Sequence, residues 1–138
     1  MRVTTTMLAD SAQMQNGKLY VLGGGISTIT TRKIPARHPQ LSLVLLVEVE
    51  PHEWDQSLDL RIQLIDEDGA NMGIDARGSL RVHGMTSGKP GQPSLVPMVS
   101  NFVNLGFPEA KGYAFAVDHD GTELTRVGFR VVLAKERS

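Results

Sequence analysis

The sequence predicts an all-β fold: a single-domain antiparallel β-sandwich of about eight strands, jelly-roll or immunoglobulin-like, over residues 1–138. Three observations predict it. Apolar residues recur along most of the chain with period two, the repeat of a strand. Turn signals rich in glycine, proline and aspartate separate the apolar runs at short intervals. Helical 3.6-residue spacing is nearly absent.

The expected strands are 3–14, 18–31, 41–49, 58–66, 71–83, 95–105, 111–118 and 122–134. Asn16-Gly17 separates the first two. It is a two-residue hairpin signal because both turn residues need positive φ, which Asn and Gly tolerate. A helical turn over Leu8–Gln15 is the one competing local reading. Gly23-Gly24-Gly25 interrupts the second run and reads as a kink or bulge that bends one long strand across a sandwich corner. Leu41–Val49 begins apolar on both faces and ends alternating, so it reads as a central strand covered on both sides at its start. Pro35, Pro39 and Pro51 bracket it.

Leu58, Leu60, Ile62 and Leu64 alternate with Asp59, Arg61 and Gln63, as in a strand with one wet face. Tyr113, Phe115 and Val117 alternate with Ala114 and Ala116, and Val127, Phe129, Val131 and Leu133 with Gly128 and Arg130. Asp66-Glu67-Asp68-Gly69 and Asp118-His119-Asp120-Gly121 close tight loops. Ser87–Pro97 is the longest loop candidate. The surest pairings are the hairpins over 3–31 and 111–134. The expected core is Leu43, Leu45, Leu60, Ile62, Leu64, Phe115, Phe129 and Val131.

Composition bounds function. A formal net charge of −1 supplies no cluster of cations for nucleic acid or an anionic membrane. Aromatic residues are 5% of the chain, and no basic–aromatic interleaving is present. Without cysteine there is no disulfide framework or thiolate zinc site. The start, Met1-Arg2-Val3-Thr4-Thr5-Thr6, lacks the apolar core of a signal peptide, and the longest apolar run, Leu43–Val47, is far below the roughly 20 residues of a membrane helix. The expectation is a soluble cytoplasmic protein.

The motifs that resemble chemistry fail on spacing. Gly23-Gly24-Gly25 is followed by β-branched residues where a phosphate-binding loop needs a helix. Gly84-Met85-Thr86-Ser87-Gly88-Lys89 is one residue short of a P-loop, and Pro90 follows where Ser or Thr should hold magnesium. His52-Glu53 opens like a zinc-protease motif, but position 56 is Gln. Ser27 lacks the second glycine of a nucleophile elbow. His38, His52, His83 and His119 are scattered over loops and strand ends. Asp66/Asp68 and Asp118/Asp120 are too few for a calcium loop and read as turn chemistry. Trp54 reads as a cap on the end of the core, with an exposed contact residue as the alternative. No catalytic residue, cofactor site or metal site is expected.

Thr5-Thr6-Met7-Leu8-Ala9-Asp10, the run Gly17–Gly25 and Leu64-Ile65-Asp66-Glu67-Asp68-Gly69 resemble a family of small bacterial, mainly actinobacterial, proteins catalogued only as a domain of unknown function. The resemblance spans nearly the whole chain and includes a late proline-rich segment, here Pro90–Pro97, before two closing strands. It implies one all-β domain and supplies no activity or catalytic residue to carry over.

The functional expectation is a non-enzymatic binding or assembly module that contacts protein, either a second copy or a larger assembly, and neither nucleic acid nor membrane. The candidate surface is Leu95, Val96, Met98, Val99, Phe102 and Val103, more apolar groups than one strand face can bury, in a segment that Pro97 marks as an edge. The competing readings are a ligand-binding sandwich, for carbohydrate or for calcium through its end loops, and an enzyme of unrecognised type.

Overall fold

The computed structural model describes residues 1–84 and 91–135. Met85–Lys89 of the P-loop-like stretch and the first residues of the Ser87–Pro97 loop lie outside the described residues. Nine strands are present among those described: β1 (Arg2–Gln15), β2 (Lys18–Gly24), β3 (Thr28–Thr31), β4 (Ala36–Val49), β5 (Leu58–Asp66), β6 (Asn71–Leu80), β7 (Ser94–Phe107), β8 (Gly112–His119) and β9 (Thr122–Leu133). A 3-10 turn, Pro51–Glu53, follows β4. The strands form two open sheets, one in the order β2-β1-β4-β7 and one in the order β3-β9-β8-β5-β6.

The hairpins follow from local sequence. Asn16 and Gly17 have φ of 52° and 73°, and Gln15 pairs with Lys18. β1 runs as strand through Gln15, so no helical turn replaces its second half. Asp120 and Gly121, at φ 48° and 81°, close β8 onto β9 in the same way, with His119 opposite Thr122.

Three expectations are corrected. The run 18–31 is two strands, not one, which raises the count above eight. Gly23 and Gly25 both have positive φ, and after Gly24 the chain leaves one sheet to enter the other at Thr28. The glycines therefore turn a corner between sheets instead of bending one strand. The fold is also not wholly antiparallel. β3 runs parallel to β9, from Thr28 opposite Arg130 to Thr31 opposite Leu133. The crossing delivers β3 to the outer edge of β9 already pointing in the same direction.

The third correction concerns Pro39, which lies inside β4 and not before it. The ladder with β1 ends at Ser42, so at Pro39 the strand has only β7 beside it and the missing N–H breaks no bond on the β1 side. Opposite Pro39 in the register is Asn104, at φ 53°. Both strands change face there. Leu41 and Phe102 point to the core on one side of this pair, and Ala36, Leu105 and Phe107 do so on the other.

One apolar cluster draws on both sheets. Phe102 from β7 stacks on Phe115 from β8 at 4.9 Å, and Phe107 from β7 meets Tyr113 at 4.9 Å and Phe129 at 5.7 Å. The eight expected core residues are all buried. Trp54 packs against the edge of the cluster, with Gly84 beside its ring. The Met1 ammonium donates to Glu53, whose carboxylate also accepts from the Glu50 backbone N–H, and this fastens the start of β1 to the 3-10 turn.

Two measurements check this architecture. Ile62→Ala should cost about 2–5 kcal/mol in denaturant unfolding, through lost transfer energy and a cavity. Gly17→Val should cost about 1 kcal/mol or more. No atom lies within 4 Å of a Cβ built at Gly17, so that cost is conformational and Gly17→Asn should be milder.

Candidate functional site: an interaction surface

β7 is an edge strand, and its fourteen residues, Ser94–Phe107, carry no charged side chain. The structure divides the six expected surface residues between two faces. Val96, Met98 and Phe102 pair with Val47, Leu45 and Leu41 of the core. Phe102 is 8% exposed and belongs to the core, so it is withdrawn from the surface. Val96 and Met98 pack half-buried against the same cluster and are withdrawn with it. Leu95, Val99 and Val103 point the other way, with Leu95 57% and Val103 71% exposed.

Cross-strand partners share a face of a sheet, so the register assembles the rest of this outward surface. Val99 lies beside Val44, and Val44 beside Met7. Pro97 lies beside Leu46, and Leu46 beside Thr5. Asn101, Ser42, Ala9 and Gly24 form the next row, and Leu22 and Tyr20 stand beyond it opposite Ser11 and Gln13. Leu22 is 72% and Tyr20 48% exposed. The described residues include six exposed large apolar side chains, and four of them, Tyr20, Leu22, Leu95 and Val103, lie here. Charge appears only at the corners, as Lys18, the Arg2–Glu48 ion pair and, past the turnover at Pro39, Arg37 beside Gly106.

Sequence reasoning missed Met7, Tyr20, Val44, Leu46 and Leu22. The signal for two of them was present: β4 is apolar on both faces, and an apolar residue facing away from the core must lie on the sheet's other side. Ser42 and Val44 are buried there. The Ser42 hydroxyl donates to Asn101 Oδ1, so the buried oxygen is not left without a partner. No further strand or helix among the described residues covers the far side of either sheet.

The free edge of β7 is blunted. A paired strand's N–H groups alternate between its neighbour and its open side. Pro97 has no donor, so it sits in the ladder where the N–H would point outward, and it removes a template bond from the exposed edge.

The far face of the five-stranded sheet is chemically different. Arg61 forms a two-pronged pair with Asp75 at 2.9 and 2.7 Å, and Arg126 pairs with Glu123 at 2.8 Å. Two shallow cavities open there. One, of about 570 Å³, includes Asp59, Arg61, Arg77, Ser79, Asp118 and Asp120 in its lining, and the other, of about 490 Å³, includes Asp66, Glu67, Arg126 and Arg130. Neither lining contains a histidine. His38 lies opposite Leu105 in β4, His52 in the 3-10 turn, and His83 lies 3.7 Å from Asp55. The His119 ring meets the Asp59 carbonyl at 2.7 Å.

The two aspartate turns lie at opposite ends of this sheet, since Asp66 pairs with Tyr113 whereas Asp118 pairs with Arg61. The carboxylate of Asp66 is committed to its own turn. It accepts from the backbone N–H groups of Asp68 and Ala70 at 3.0 and 2.9 Å, and from Lys111 Nζ at 3.0 Å. The Lys111 hydrogen bond, with those from the backbone, holds the Asp66 carboxyl below the usual carboxylate range and raises the lysine.

A family model described as "Family of unknown function (DUF6941)" matches residues 4–132. No curated protein matches the chain.

The Asp66 site has a pH signature. Because the folded carboxyl titrates lower than the unfolded one, its contribution is complete above the unfolded value of about 4 and is lost as pH falls through the folded value. Lys111→Met should therefore lower the melting temperature at pH 7 and flatten its decline below about pH 4. An unchanged acid slope would place the acid sensitivity elsewhere.

Proposed function

We propose that this chain, which belongs to the DUF6941 family, is a non-enzymatic binding or assembly module, with the far face of the four-stranded sheet as its contact surface. The observation that carries this reading is the concentration of exposed apolar groups on that face, with Leu22, Leu95 and Val103 more than half exposed. Soluble single domains rarely leave such a patch bare, and contiguous apolar surface is a mark of protein contact. The architecture belongs to the same reading: a β-sandwich, jelly-roll or immunoglobulin-like, with its core between the sheets and its contact on one outer side. The inter-sheet stack of Phe102 on Phe115 supports the sandwich.

Other observations favour contact over chemistry. The one buried carboxylate among the described residues, Asp66, is spent on a turn and on Lys111. The aspartate turns stand at opposite ends, which removes the basis for a shared calcium site. A cytoplasmic location goes with the absence of cysteine, which suits a reducing compartment. No helix among the described residues is long and apolar enough to cross a membrane.

The test is the native mass of the chain in an extract of its source cell. We expect a particle larger than the 15.0 kDa of one chain. A mass of one chain in the extract, with the purified protein also monomeric at high micromolar concentration, would overturn the proposal.

A further inference from the structure

Resting on that reading, we propose that the occupant of this face is a second copy of the same chain, docked sheet against sheet about a two-fold axis. Three features point to a copy. The first is charge. Between its corners, from the Tyr20–Gln13 pair to the Pro97–Leu46–Thr5 row, the face carries no ionisable group except the phenol of Tyr20. An isologous contact sets a surface against itself, so any charge near its middle would meet a like charge. This face avoids that cost, and it offers a charged partner nothing to pair with.

The second feature is relief. The row Gly24–Ala9–Ser42–Asn101 is built from small and short side chains. Larger groups flank it: Met7, Val44 and Val99 on one side, and Leu22 and Val103 on the other. A ridge beside a trough is self-complementary when two copies are turned against each other, and faces of twisted sheets pack in this way about 10 Å apart.

The third feature is size. Four strands about 4.8 Å apart over about seven residues of 3.4 Å rise give about 460 Å² of flat face, or about 900 Å² for a pair. That lies below the roughly 1,200 Å² at which stable specific interfaces begin, the size of a weak, reversible contact. Pro97 meanwhile turns association away from the β7 edge and toward the face.

The experiment is sedimentation equilibrium of the purified full chain over a concentration series, with Leu22→Glu, Val103→Glu and, on the other sheet, Arg77→Ala. Leu22 and Val103 lie on β2 and β7, the two edges of the same sheet, and are exposed in the single chain, so glutamate there should leave the melting temperature of the monomer unchanged. We expect a reversible dimer, weakened about tenfold or more by each glutamate and unaffected by Arg77→Ala. Sensitivity to Val103→Glu alone would mean edge pairing of β7 and would overturn the face-to-face dimer. Association insensitive to both glutamates would remove this face as the contact altogether. A strictly monomeric purified chain that forms a larger particle in the cell extract would overturn the second copy while leaving the contact reading intact.

Discussion

The ladder between β4 and β7 governs the rest of the structure. It runs without a change of register from Ala36 opposite Phe107 to Val49 opposite Ser94. Because partners share a face, this one pairing decides which half of β7 enters the core and which half faces outward. It also carries the rings. Phe102 and Phe107 both reach across to the second sheet, although strict alternation over their five-residue separation would place them on opposite faces. The reversal at Pro39 and Asn104 resolves that conflict. The strands turn over together, so the ladder keeps its register while the core gains Leu105 and Phe107 as well as Phe102. Arg37 donates to the Asn104 carbonyl at 3.1 Å and so ties the two strands together at the turnover.

The two outer faces show two solutions to the same problem. The five-stranded sheet follows the ordinary rule of polar residues outside, and its arginines and carboxylates pair across strands, as Arg61 does with Asp75. Such exposed pairs add little stability, but they keep the face wet. The four-stranded sheet departs from the rule in its central strand. β4 is buried from Leu41 to Leu45 on both sides, and its neighbours supply Met7, Leu22, Val99 and Val103 around it. The departure runs over four strands at once, so these apolar groups form one coherent area and are not scattered surface leucines.

Polar side chains in this protein act mainly as fasteners. Asp66 ties the β5–β6 turn to Lys111 ahead of β8, and Tyr113 donates from its hydroxyl to the Glu109 carbonyl at 2.7 Å in the same corner. Glu53 gathers the chain's first ammonium and the 3-10 turn. For its carboxyl, burial pushes the pKa upward, and the hydrogen bonds from the ammonium and from the Glu50 backbone outweigh it and bring it down. The Asp66–Lys111 pair and the Met1–Glu53 pair join segments distant in sequence, whereas the Tyr113–Glu109 bond closes a local turn.

By itself the sequence determined what depends on near neighbours. Period-two alternation marked Leu60, Ile62, Leu64, Phe115 and Phe129 as core, since parity along one strand suffices to separate its faces. Asn16-Gly17 specified a hairpin, because two adjacent residues with positive φ leave the chain few other paths. The edge character of β7 was legible in Pro97. Only the tertiary structure decided sheet membership. Gly23 to Gly25 announce a break, but nothing local states that the chain then changes sheets and lies parallel to β9. The candidate surface divided along the same line. Leu95, Val99 and Val103 were nameable from one segment, yet parity within that segment did not say which half faced outward. Tyr20 and Leu22 join them only through β1 and β4, strands whose order is set by long-range pairing. Faces are a property of single strands, whereas surfaces are a property of their arrangement.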